Sequence, residues 1–161
     1  MLRHYCAFFY KYHIKQLVTI MPKLKALIID DNTEFRLSCG QLLLSDLDIS
    51  VMDCDGDLAL EYLESVSPDV VVMGLNIAEQ HRLQLLKLIQ LRWSECQVLA
   101  LADNQSNDDA IEQIEASAVG FMNSEDLERL LAKAVKKINE GEAWVPRKLV
   151  PSLVERLRVL A

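Results

Sequence analysis

Apolar residues recur along this chain in two alternating patterns. Short runs of three to five appear at Lys25–Ile29, Ile49–Met52, Val70–Met73, Val98–Leu101 and Gly120–Met122. The third, Val70-Val71-Val72-Met73, is apolar throughout, the signature of a parallel strand covered on both faces. Between the runs the spacing turns helical: Phe35, Cys39, Leu42 and Leu43; Ala59, Tyr62, Leu63 and Val66; Leu85, Leu86, Leu88 and Ile89; Ala110, Ile111 and Ile114. The last such segment is the most regular, with Leu127, Leu130, Leu131, Ala134, Val135 and Ile138 on one face. Glu125 and Asp126 open it, Lys136 and Lys137 close it, and Gly141 follows as a stop, as the helix dipole and C-cap preferences favour. Ser106 and Asp109 have the spacing of a capping box.

Five β-then-α repeats predict an α/β fold: a doubly wound, five-stranded parallel sheet, flavodoxin-like, over residues 23–140. In such folds functional groups gather beyond the carboxyl ends of the strands. Here those ends are Asp30-Asp31, Gly74, Ala102-Asp103 and Ser124. The flanks read differently. Residues 1–22 are an N-terminal extension, disordered or preceding a true start at Met21; a membrane-surface helix is the less favoured reading of Phe8, Phe9 and Tyr12 among basic residues. Residues 141–161 are a linker-like C-terminal helix with a weak apolar stripe at Val150, Val154 and Leu157.

Composition narrows the partners. The net charge is −7, while residues 1–20 hold Arg3, Lys11 and Lys15 and no acid, so the remainder carries −10. That balance argues against direct, non-specific DNA binding by this chain. No apolar run approaches a membrane span. Cys6, Cys39, Cys54 and Cys96 lack metal or redox spacing, which suits a reduced, cytoplasmic setting, and the last three read as small core residues.

Three blocks then occur in order: Ile28-Ile29-Asp30-Asp31, Asp53-Cys54-Asp55-Gly56-Asp57, and Pro68-Asp69 leading into Val70–Met73. Together they resemble the receiver domain of two-component response regulators. The resemblance implies a Mg²⁺-binding acid pair after the first strand, a phosphoacceptor Asp after the third, a Thr or Ser after the fourth and a Lys after the fifth. The nucleophile would be the carboxylate, with Mg²⁺ and Lys offsetting the charge of the transferring phosphoryl group. Carried onto this chain, Asp30 and Asp31 match the acid pair, but the acceptor position is Gly74, the hydroxyl position Ala102 and the Lys position Ser124. Ala78 stands where the family has Pro, and Arg82 where a loop Gly is common. The switch aromatic is kept as Phe121.

The resemblance with these departures implies a degenerate receiver and not an enzyme: a pseudo-receiver acting through protein–protein contact in a two-component or transcriptional pathway. The alternatives are an atypical phosphoreceiver using another acid, a small-ligand sensor binding at the vacated pocket or a dimer face, and a truncated DNA-binding regulator. Without the Lys the pocket should hold carboxylates and no fixed cation, leaving at most weak Mg²⁺ at Asp30 and Asp31 and no other cofactor. Phe121 is expected to turn inward. The face formed by the fourth helix, fifth strand and last helix of the repeat is then the expected dock for a protein partner or a second copy. Gly141-Glu142-Ala143-Trp144-Val145-Pro146 resembles the receiver end in the NarL-like subgroup, where a linker leads to a LuxR-type DNA-binding domain.

Because the alternating pattern begins only after Pro22, residues 1–20 should be dispensable for folding. A chain of residues 21–161 is expected to unfold within a few tenths of a kcal/mol of the full chain; thermal or urea unfolding of the two measures this, and a loss of several kcal/mol refutes it.

Overall fold

A computed structural model describes residues 23–103 and 106–160, and the reading of residues 1–22 lies outside them. Five strands form one parallel sheet: β1 (Leu24–Ile29), β2 (Ile49–Cys54), β3 (Val70–Met73), β4 (Gln97–Ala102) and β5 (Gly120–Asn123). The helices are α1 (Thr33–Leu44), α2 (Ala59–Val66), α3 (Glu79–Arg92), α4 (Asn107–Glu115), α5 (Leu127–Asn139) and α6 (Val150–Leu160). The sheet order β2-β1-β3-β4-β5 places β1 and β3 side by side near its centre, so the ends of these two strands meet at the reversal of winding.

Strand side chains alternate between the two faces, and two cores follow. Leu27, Ile29, Val71, Met73, Val98, Ala100 and Phe121 pack with residues of α2, α3 and α4. Ala26, Ile28, Val70, Val72, Leu99, Leu101 and Met122 pack with residues of α1 and α5. All four residues of β3 are buried, as its unbroken apolar run requires. Asn32 caps α1 through a hydrogen bond from the Phe35 amide, and Ser106 and Asp109 form a reciprocal capping box on α4. Cys39 and Cys54 are buried and Cys96 is half-buried; burial pushes all three thiols up to about 12, so they behave as small apolar side chains.

The C-terminal stretch changes the outer surface. The Phe121 amide donates to the Trp144 carbonyl at 2.7 Å, and Gly120 bridges to Trp144 in parallel fashion, so this segment covers the free edge of β5. Leu149 is 1% exposed and joins the core cluster that contains Phe121 and Ala110, with Val145 and Leu153 packed against it. Arg156 Nε then pairs with Glu115 Oε1 of α4 at 2.8 Å. The face expected to receive a partner on α4, β5 and α5 is therefore not free: at α4 and β5 the chain covers it with its own residues 144–156. The sequence showed the stripe on this segment; it could not show that the other side of α6 had somewhere to dock.

Two glycines separate space from propensity. A side chain at Gly120 would meet Ile138 Cδ1 at 2.6 Å, Leu99 Cδ1 at 3.0 Å and Trp144 Cβ at 3.1 Å, whereas one at Gly40, inside α1, would meet nothing closer than 3.9 Å. Gly120→Val should cost about 1–3 kcal/mol by overpacking. Gly40→Ala should add about 0.5–1 kcal/mol through helix propensity. Urea midpoints at constant slope read both changes.

Candidate functional site

The carboxyl ends of β1 and β3 converge, as the Ile29–Met73 register and the Gly74 amide donating to the Ile29 carbonyl at 2.8 Å show. Asp30 follows Ile29 and is completely buried. Its carboxylate turns toward β3. Oδ2 accepts from the Asn76 amide at 2.9 Å, and the Asn76 Nδ2 reaches Oδ1 at 3.0 Å and Oδ2 at 3.2 Å. Oδ1 also accepts from the Asn32 amide at 2.7 Å. A Cβ built on Gly74 would lie 2.0 Å from Asp30 Oδ2 and 2.6 Å from its Cβ and Cγ. The Asp30 side chain thus occupies the space that a residue at position 74 would need.

Asp31 points elsewhere. Its Oδ1 accepts from the Gly56 amide at 2.8 Å, tying the loop after β1 to the loop after β2. His81 stands beside the same glycine: a Cβ on Gly56 would meet its Cε1 at 3.0 Å. Asp30 and Asp31 therefore follow one strand but serve different loops.

Mg²⁺ prefers an octahedral set of oxygen ligands. Here both Asp30 oxygens already accept amide hydrogens, and the described residues contain no group of three or more His, Cys, Asp or Glu placed to hold a metal. The weak Mg²⁺ site expected at Asp30 and Asp31 does not fit this arrangement.

The expectation of a pocket without a fixed cation is overturned by two arginines. Arg36, from α1, donates Nη1 to the Asp30 carbonyl at 2.6 Å, Nε to Asp53 Oδ1 at 2.8 Å and Nη2 to Thr33 Oγ1 at 3.1 Å. It clamps the ends of β1 and β2 together. Arg82, from the first turn of α3, is 4% exposed. Its Nη2 donates to the Leu75 carbonyl at 3.0 Å and the Ile77 carbonyl at 3.4 Å, and its Nη1 to Gln113 Oε1 of α4 at 3.4 Å. Its Nε has no hydrogen-bond partner among the described residues. Burial pulls Arg82 below its ordinary value, with the Asp30 and Glu79 carboxylates opposing that pull. A signal for Arg82 was present in the sequence: positions 82, 85, 86 and 89 form one stripe, and Arg82 takes its N-terminal place beside the buried Leu85, Leu86 and Ile89.

The remaining expected positions lie on the same rim. Ala102 ends β4 fully buried, and Phe121 of β5 is 2% exposed on the α2–α3–α4 side of the sheet. Ser124 Oγ donates to Asp103 Oδ1 at 2.8 Å, joining the ends of β5 and β4. Asp69 lies at the opposite end of β3, where its Oδ2 accepts from the Lys25 amide at 2.8 Å, so it is no part of this site.

Comparison with known proteins bears on the fold and the family. The chain is 26% identical over 140 residues to the transcriptional regulatory protein DegU of Brevibacillus brevis, covering 86% of this chain and 59% of that protein. It is 25% identical over 134 residues to the nitrate/nitrite response regulator protein NarL of Escherichia coli K12, covering 82% and 62%. The chain thus spans about three fifths of the length of these curated relatives. Among solved structures, the isolated receiver domain of RcsB from Salmonella enterica serovar Typhimurium, in its apo form, superposes with a TM-score of 0.71 at 16% identity, over 83% of this chain and 99% of that one. A LuxR-family response regulator from Aurantimonas sp. gives 0.73 at 20% identity, over 85% and 99%. These likenesses show the same fold. The family model of the response regulator receiver domain matches residues 26–136, and with the five-stranded parallel sheet and the Asp30-Asp31 end of β1 this places the chain in the response regulator receiver domain family.

Proposed function

We propose that this chain is a degenerate receiver that acts by protein–protein contact without being phosphorylated. The observation that carries this reading is at the end of β3. Position 74 has no side chain to accept a phosphoryl group, and the buried Asp30 carboxylate fills the space where one would sit. Asp30 is a poor substitute nucleophile, since it is unexposed and both its oxygens accept amide hydrogens. Ala102 and Ser124 supply neither the expected β4 hydroxyl nor the expected Lys.

Arg82 and Phe121 suit a domain whose conformation is set by its own sequence. In a switching receiver a ligand moves a two-state equilibrium only through contacts that differ between the states. Here a buried guanidinium bridges the loop after β3 to α4, and Phe121 is packed inward beneath residues of the C-terminal segment's cluster. The β4–α4 side is held by resident groups. The regulatory setting follows from likeness to DegU and NarL, whose names describe transcriptional and nitrate/nitrite regulation. A role in a transcriptional pathway, in a cytoplasmic setting and without direct DNA contact by these residues, belongs to the same proposal. Among the described residues no helix is long and apolar enough to cross a membrane.

Two measurements test the reading. Intact mass after acetyl phosphate with Mg²⁺ is expected to stay unchanged; an adduct of one phosphoryl group at Asp30, Asp31, Glu79 or Asp103 refutes it. Gly74→Asp is expected to fail to restore phosphorylation. It should also lower stability by about 1–3 kcal/mol, because its Cβ enters the space held by Asp30. Urea unfolding and the same mass assay read both effects, and a stable, phosphorylated Gly74→Asp variant would show that the space at position 74 is open.

A further inference from the structure

The sheet has two edges, β2 and β5, and the chain treats them differently. Trp144 covers β5. No described residue pairs with the outer side of β2. The β1 ladder takes the carbonyls of Asp48 and Cys54, and so engages every second residue of β2. Ile49, Val51 and Asp53 therefore turn their backbone groups outward. The Ile49 amide is held by the Asp46 carbonyl, while the amides of Val51 and Asp53 have no partner among the described residues. Helix α1 overhangs this edge. Its Gly40 faces β2, with Val51 Cγ1 3.9 Å from where a Cβ would stand. Round the helix from Gly40, the buried Cys39 and Leu43 lie on one side. Leu44 and Leu37 lie about 40° and 60° away on the other, 59% and 58% exposed. An unpaired strand edge beneath an apolar shelf is a template for one more strand.

We infer that residues 15–19 of this same chain add to the outer edge of β2 as an antiparallel strand. They lie outside the described residues; reach, register and charge choose them. Lys15, Leu17 and Thr19 come opposite Asp53, Val51 and Ile49, and each exchanges backbone bonds with its partner. Residues 20–23 then return the chain to Leu24, which lies beside Ile49 in β1. That gap is two strand spacings, about 10 Å, and four residues at about 3.3 Å each cover it. Opposite residues share a face, so Leu17 joins Val51 on the α1 side, beneath Leu37 and Leu44. Lys15 meets Asp53, of which Arg36 takes only Oδ1. Residues 1–20 hold Arg3, Lys11 and Lys15 and no acid, whereas this edge presents Asp48, Asp53 and Asp55. Ordering the segment costs about what its bonds and contacts return, so the strand comes and goes and adds little to global stability. Residues 1–20 can therefore be dispensable for folding and still occupy the edge.

This contact goes beyond the unphosphorylated reading of Gly74 and does not rest on it. In the stated register position 16 comes opposite Met52 at a non-hydrogen-bonded pair, where Cα atoms are about 4.5 Å apart and a disulfide fits. The test uses the full 161-residue chain with Cys6→Ser, so that residues 1–20 hold no native thiol. Under mild oxidation at low protein concentration, Gln16→Cys with Met52→Cys should close an intramolecular disulfide about tenfold faster than Leu17→Cys with Met52→Cys, whose thiols would lie on opposite faces. Peptide mass mapping identifies the bond. Met52 is already 46% exposed, so circular dichroism of these variants should match the parent chain. In the first pair, Leu17→Pro, which removes a donor to the Val51 carbonyl, should slow closure to the rate of the second pair. Lys15→Glu should slow it about two- to fivefold. Equal closure rates for the two pairs overturn the inference. So does closure indifferent to Leu17→Pro, or a bond that forms only between two copies.

Discussion

A carboxylate taken fully out of water must be hydrogen-bonded, and around Asp30 the rest of the site is arranged to meet that need. Asn76 supplies a backbone and a side-chain donor from the β3–α3 loop, and Asn32 supplies a backbone donor from the start of α1. The carboxylate can turn inward because Gly74 leaves the space empty. Once it does, the loops after β1 and β3 are joined through a single buried group. The missing side chain at position 74 and the buried acid at position 30 are one structural feature, and neither persists unchanged without the other.

Two arginines extend this arrangement in opposite directions. Arg36 ties the same end of β1 to Asp53 of β2, and Arg82 ties the β3–α3 loop to Gln113 of α4. Arg82 is buried and Arg36 half-buried, and each donates to groups on two different segments, so each ties those segments together. The strand-end loops are thus tied to one another through these groups. The packing beside them includes the C-terminal segment: Trp144 on the edge of β5, Leu149 in the core cluster, and α6 beside α4.

The fold was legible along the chain. Each strand lies where a short apolar run occurs, with ends that match or differ by at most two residues, and the helical stripes of α1 to α5 face the two cores. Period-two and period-3.6 patterns are local consequences of which side of an element meets water. The positions at the strand ends were legible for the same reason, since strand ends fix them by count: Asp30, Asp31, Gly74, Ala102, Phe121 and Ser124 all fall on or beside the carboxyl edge.

What those residues do to one another was not in the sequence. That Asp30 turns into the space beside Gly74 while Asp31 turns to Gly56 depends on side-chain direction, and adjacent residues with the same side chain carry no mark of it. Arg82 showed its helical position but not its burial, because a cation on an apolar stripe is tolerated only where carbonyls from other elements surround it. The docking of residues 144–156 likewise needed a free β5 edge and a place beside α4, both products of sheet order. Local pattern determined the elements and the inventory of the site. Long-range packing decided which groups meet, because hydrogen bonds and buried charge depend on distances between segments that are far apart in the chain.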